Sequence, residues 1–170
     1  MLAFEKFTLP NGLKVLVYND NTTPMAVVNI LYGVGSRDEN ESKTGFAHLF
    51  EHLMFGGSIN IPEYDTPLEK VGGENNAFTN NDITNYYITI PAQNIETAFW
   101  LESDRMNSLN ISEENLTNQK NVVIEEKKQV YENAPYGSSF HNIFKNVFSG
   151  SNYESPVIGF TDDINSFTVE

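Results

Sequence analysis

Gly45-Phe46-Ala47-His48-Leu49-Phe50-Glu51-His52-Leu53-Met54-Phe55 is the stretch on which the reading of this chain turns. Residues three and four apart share a helix face. At about 100° per residue, His48, Glu51 and His52 fall within one arc, and Phe46, Leu49, Phe50, Leu53 and Met54 take the rest. One helix would then bury a broad apolar surface and present two imidazoles and a carboxylate side by side. Two neutral His at i and i+4 make a common zinc-binding pair, and a carboxylate beside them can take a proton from metal-bound water.

The order His-x-x-Glu-His is the inverted zinc-peptidase motif. A solvated polar face is the plainer reading of a five-residue match. Here the polar arc interrupts a strongly apolar helix, and a further carboxylate site follows downstream.

Two His leave a catalytic zinc one protein ligand short, because such sites carry three plus a water. Asn121-Val122-Val123-Ile124-Glu125-Glu126-Lys127-Lys128 supplies two candidates on a long helix. Glu126 shares the arc of Leu116, Val122, Val123 and Val130 and so faces the interior; Glu125 points towards Asn118, Asn121 and Glu132. A buried carboxylate needs a cation or hydrogen bonds to offset its desolvation, and zinc would provide that. Gln119, two turns earlier on the same stripe, is placed to hydrogen-bond a ligand or a water. His141 has no partner at ligand spacing and reads as an ordinary helix residue. Arg105 reads as half of a structural ion pair.

Around these helices the pattern alternates between strands and helices. Residues 4–9 and 13–18 read as strands joined at Pro10-Asn11-Gly12, a hairpin. Residues 25–32 form a nearly continuous apolar run, which suggests a central strand covered on both faces. Thr44 would cap the motif helix, and Gly56-Gly57 would end it. A short helix is expected over 63–71. A second hairpin turns near Asn80-Asn81-Asp82, and its polar first arm, 75–79, suits a sheet edge. Asn94 would cap a helix to about Leu109, with Ile95, Ala98, Phe99, Met106 and Leu109 inward. Another helix runs from Ser112 to about Asn133. A third spans 140–148 with Phe140, Ile143, Phe144 and Val147 inward. Thr161-Asp162-Asp163 resembles a helix cap, with another possible helix start at Ser166.

The 170 residues suit one domain with a sizeable core. Charged residues are 19% and hydrophobic residues 39%, so the chain is globular. A net charge of -13 argues against nucleic acid, whose phosphates need a basic surface. The chain has no Cys, which excludes thiolate metal sites and disulfides. No apolar run is long enough to span a membrane, and the first six residues do not form a signal peptide. The compartment is left open, with the bacterial cytoplasm or periplasm favoured.

Taken together, these residues resemble the pitrilysin family, which includes insulin-degrading enzyme and the mitochondrial processing peptidase. The resemblance covers nearly the whole chain. It rests on Leu9-Pro10-Asn11-Gly12-Leu13, Gly33-Val34-Gly35-Ser36-Arg37-Asp38-Glu39, His48-Leu49-Phe50-Glu51-His52, Gly72-Gly73 with Asn76-Ala77-Phe78-Thr79, then Asp82, Thr84 and Tyr86, and Val122-Val123-Ile124-Glu125-Glu126. It implies an α+β fold, a two-layer sandwich with helices packed on one mainly antiparallel sheet. It implies one Zn2+ held by His48, His52 and Glu126, with Glu51 as general base. It also implies that Asn76, Ala77 and Phe78 pair with an extended peptide substrate by strand addition. Where many relatives carry another Glu seven residues before the ligand, this chain has Gln119.

The function so implied is a zinc endopeptidase; the alternative is a non-catalytic partner subunit or peptide-binding module of the same family. The resemblance further implies that residues 1–170 are most of an N-terminal domain, lacking its last helix and strand. A second homologous domain or a partner subunit would complete the enzyme. The 170 residues alone would then show little activity, and their uncovered apolar surface would favour a homodimer.

Overall fold

Pro10-Asn11-Gly12 reverses the chain as its residue types require. Gly12 takes φ 91°, and the Asn11 side chain accepts the Leu13 amide at 3.1 Å. The turn joins β1 (Glu5–Thr8) to β2 (Lys14–Val17) in an antiparallel ribbon. This computed structural model describes residues 3–169. Met1 and Leu2, where the signal-peptide reading begins, and Glu170 lie outside the described residues.

The larger sheet has three antiparallel strands in the order β3 (Met25–Tyr32), β5 (Thr84–Pro91), β4 (Glu74–Thr79). The central strand is therefore β5, not β3 as the apolar run of residues 25–32 suggests. Tyr86, Ile88 and Ile90 of β5 are buried, whereas β3 buries Val28 and exposes Val27 and Leu31. A continuous apolar run cannot by itself tell a covered strand from one with a bare apolar face. β4 is the polar edge, with Phe78 exposed.

α1 (Phe46–Leu53) carries the motif. Thr44 does not cap it. The N-cap is Gly45 at φ 84°, where a Cβ would meet the Ile158 carbonyl oxygen at 2.6 Å. The first turn is closed instead by Glu39, whose Oε2 accepts the Gly45 amide at 2.8 Å and whose Oε1 accepts the Ala47 amide at 2.7 Å. A carboxylate there satisfies orphan N–H groups and favours the positive end of the helix dipole. Thr44 is used differently: its hydroxyl donates to Asp163 at 2.6 Å and accepts the Phe160 amide at 2.9 Å. This ties the entry of α1 to α6 (Thr161–Ser166), which ends at Ser166 rather than starting there.

The remaining helices are α2 (Asp65–Lys70), α3 (Ile95–Ser108), α4 (Glu113–Lys127) and α5 (Ser139–Val147). The expected inward face of α3 is partly wrong. It buries Ala98, Leu101, Glu102 and Arg105 and exposes Phe99 and Met106. Burying the Glu102–Arg105 pair turns the helix away from the phase its apolar residues suggest. Asn94 makes no cap; its side chain donates to the Val71 carbonyl at 3.0 Å. Ser112 caps α4 by accepting the Asn115 amide at 3.1 Å, and one wide π-type turn, Lys128–Glu132, extends that helix. α5 buries none of its residues: Phe140, Ile143 and Val147, expected inward, are exposed, because no described element covers that face.

Two cores result. One joins β3, β5, α2 and α3 through Val28, Leu68, Ile88, Ile90, Ala98 and Leu101. The other joins α1, α4 and α6 through Leu49, Leu53, Leu116, Val123, Ile158 and Ile164, and it sets the functional helices against each other. Among the described residues, no helix is long and apolar enough to cross a membrane.

Replacing Glu39 with Ala removes both acceptors at the start of α1. We expect a loss of about 1–3 kcal/mol of folding stability, read by urea unfolding of metal-free protein. No loss would show that the cap is not stabilising.

Candidate metal centre

α1 is short, and its burial sets its rotation. Leu49 and Leu53 are 1% and 3% exposed and lock the apolar face into the core. The adjoining arc of the helix carries His48, Glu51 and His52 and brings both imidazoles to Glu126 of α4. The imidazoles of His48 and His52 stand edge to face, 4.8 Å between ring centroids.

From α4, Glu126 Oε2 lies 3.4 Å from His52 Nε2 and 3.7 Å from His48 Nε2. One donor atom from each of the three residues falls within 4.8 Å of the other two. Glu125 is turned out to solvent and pairs with Lys128 at 2.6 Å. Zinc bonds of 2.0–2.1 Å at tetrahedral angles put ligand atoms about 3.4 Å apart. The donor set of two imidazoles and one carboxylate, at these separations, fits that ion.

The electrostatics point the same way. Burial, with the neighbouring His52, pushes His48 down to about 4, so it is a neutral imidazole with a lone pair at neutral pH. Its contact with Glu126 is then not an ion pair. The hydrogen bond from His52 holds the Glu126 carboxyl below its ordinary range. Glu51 is 9% exposed, and its burial pushes its carboxyl upward, opposed first by a hydrogen bond from Thr79. Two carboxyl groups thus face two imidazoles in a part-buried site, an arrangement that a divalent cation would balance.

The edge strand adjoins this centre. Among the described residues β4 has β5 as its one strand neighbour, and its last residue, Thr79, donates its hydroxyl to Glu51 Oε2. Asn76 and Phe78 are exposed, Ala77 is half-buried, and the Ala77 amide is taken up by the Asn76 side chain at 2.8 Å. Gln119 is half-buried, and among the described residues its side chain makes no hydrogen bond to His48, His52 or Glu126. Arg105 makes its expected structural pair, with Glu102 at 2.6 Å. His141 lies on α5 with its ring against Phe160, 6.3 Å between centroids. Thr79 is a site residue that the sequence reading missed. The signal was its phase: residues 75, 77 and 79 alternate inward on β4.

Residues 14–160 match the family described as Insulinase (Peptidase family M16). The chain is 37% identical to the zinc protease PqqE of Helicobacter pylori over 98% of its own length and 38% of that protein's. The crystal structure of a protease from Helicobacter pylori superposes with a TM-score of 0.93 at 35% identity, covering 99% of this chain and 41% of that one. The inactive M16 peptidase domain from Pseudomonas fluorescens shares the fold, with a TM-score of 0.87 at 16% identity, 99% of this chain and 41% of that one. The chain therefore spans about two fifths of the length of these relatives.

The Glu126→Gln variant should lose zinc, and Glu125→Gln should keep it, by metal analysis after dialysis. The reverse result would place the ligand on the other face of α4. Without metal, acid should also destabilise the fold. His48 takes its proton near 6.5 in the unfolded chain and near 4 in the folded one. Between these values the unfolded chain binds more protons, so stability present above 6.5 falls as pH drops towards 4. Melting of chelated protein across that window is the check, and His48→Ala should flatten the dependence.

Proposed function

The chain belongs to the insulinase family of peptidases, M16, and we propose that it carries the catalytic centre of a zinc endopeptidase acting on peptides or unfolded protein segments. One observation carries this reading. His48, His52 and Glu126 converge on one point, and the buried Glu51 carboxylate next to them is tied to the end of an edge strand.

His48, His52 and Glu126 would hold the ion. When bound, zinc supplies a Lewis acid for the scissile carbonyl and lowers the pKa of water towards about 7. Glu51 takes the proton released as the nucleophile attacks and returns it to the leaving amine. Its buried position raises its affinity for a proton, which suits a group that must both accept and give one. The substrate would lie along β4 as an added strand over Asn76, Ala77 and Phe78, with the Ala77 amide exchanging the Asn76 side chain for the peptide and the exposed side chains of Asn76 and Phe78 flanking it.

A non-catalytic role, as partner subunit or peptide-binding module, is the second reading, since an inactive domain has the same fold. The complete set of His48, Glu51, His52 and Glu126 favours the catalytic one. The share of the relatives that this chain spans further supports a second domain, which would close over the metal face and the exposed strand.

Glu51→Gln should keep zinc and lower kcat by roughly 10²–10⁴-fold. Near-normal cleavage of an unstructured peptide by that variant would rule out Glu51 as base. Ala77→Pro should leave zinc content intact, because an edge strand tolerates Pro where the amide faces outward. It should raise KM by about 10-fold, the worth of one lost backbone hydrogen bond. An unchanged KM would move the peptide off β4.

A further inference from the structure

Glu51 has a hydrogen-bond partner that the metal chemistry does not require. Thr79, the last residue of β4, donates its hydroxyl to Glu51 Oε2. A threonine hydroxyl has one proton, so that donation commits it. The adjacent hydroxyl, Thr84 Oγ1, lies 3.4 Å from Thr79 Oγ1 and spends its own proton on the Val34 carbonyl at 3.0 Å. Thr84 therefore cannot replace Thr79 as donor to the carboxylate. Thr79 is β-branched and half-buried, and its side chain has few rotamers to choose from.

This contact links two elements that the proposed reaction must keep in register. Glu51 rides on α1 and moves with the His ligands. Thr79 ends the strand on which the peptide would be laid, a strand whose other ties are its ladder with β5 and the bond from the Asn75 side chain to Asp65 at 2.7 Å. We propose that Thr79 is a positioning residue: its hydroxyl fixes one oxygen of Glu51 to the end of the edge strand, leaving the other oxygen as the proton acceptor and holding the base in register with the bound peptide. The proposal rests on Glu51 being the general base.

The experiment uses the full chain with zinc and an unstructured peptide. Thr79→Val keeps the shape and removes the donor; Thr79→Ser keeps the donor. Thr79→Val should keep its zinc and its KM and lower kcat by about 10- to 100-fold, as misplacement of a reacting group by about 1 Å does. Thr79→Ser should restore kcat to within about threefold of wild type, since its hydroxyl can make the same bond. On the Glu51→Gln background, Thr79→Val should lower kcat no further, because residues acting as a unit are not additive.

Equal kcat for Thr79→Val and wild type, with Glu51→Gln inactive, overturns the proposal alone and leaves the peptidase reading standing. An active Glu51→Gln overturns both. Loss of zinc or of folded structure in Thr79→Val, or equal kcat loss in Thr79→Val and Thr79→Ser, would make the residue structural and also overturns the proposal.

Discussion

The packing of α1 against α4 is the constraint on which the centre depends. Neither helix can hold a metal alone. α1 supplies two donors and α4 one, and the separations between them are 3.4 and 3.7 Å. What holds that spacing is apolar: Leu49 and Leu53 from α1 meet Leu116 and Val123 from α4, all but fully buried. Burying one such side chain contributes about 1.5–3 kcal/mol. A part-buried carboxylate costs some of that back, and a cation held by the three donors would offset it. Here the core sets the position of the ligands, and the ligands weaken the core until they are filled.

The C-terminal end of α1 rests on a different device. Arg105 is 2% exposed, yet every charge on it is answered. It makes a two-pronged bond to Glu102, at 2.6 and 3.0 Å. Its guanidinium carbon lies 4.5 Å from the Tyr86 ring centre and 4.6 Å from that of Tyr64, and Tyr64 donates its own hydroxyl to Glu102 at 2.6 Å. Arg105 also reaches the Met54 carbonyl at 3.5 Å, just past the last turn of α1. A planar, permanently charged fork suits this stacked and bidentate place, and Lys would not. Removing either partner would leave a buried charge alone, which is the costly half of a buried pair.

The parts of the site that were legible in the sequence are those set by one helix. His48, Glu51 and His52 share a face because 3.6-residue geometry leaves no choice, and the phase of Glu126 against Glu125 follows from the buried Leu116 and Val123. What the sequence concealed depends on neighbours distant in the chain. Glu39 caps α1 from an upstream loop, and nothing local distinguishes it from the other acidic residues between 38 and 41. The apolar run of residues 25–32 reads the same whether β3 or β5 is central. On α3 the buried Glu102 and Arg105 overrode the apolar phase, because each supplied the other's counter-charge. On α5 the periodicity was present, but no described element covers the apolar stripe it makes.

Those exposed stripes have a common logic. Phe140, Ile143 and Val147 on α5, Val27 and Leu31 on β3, and Leu16 on the β1–β2 ribbon are large apolar side chains with more than half of their surface in water. Single exposed residues of this kind are ordinary, whereas contiguous patches mark contact surfaces. His48, His52 and Glu126 are brought together by contacts among the described residues: the α1–α4 core, the Glu39 cap and the Thr44–Asp163 tie. None of these contacts uses the exposed stripes. Assembling the donor set and covering the apolar faces are therefore separable tasks. The described residues accomplish the first among themselves, whereas the second needs a surface that meets those stripes.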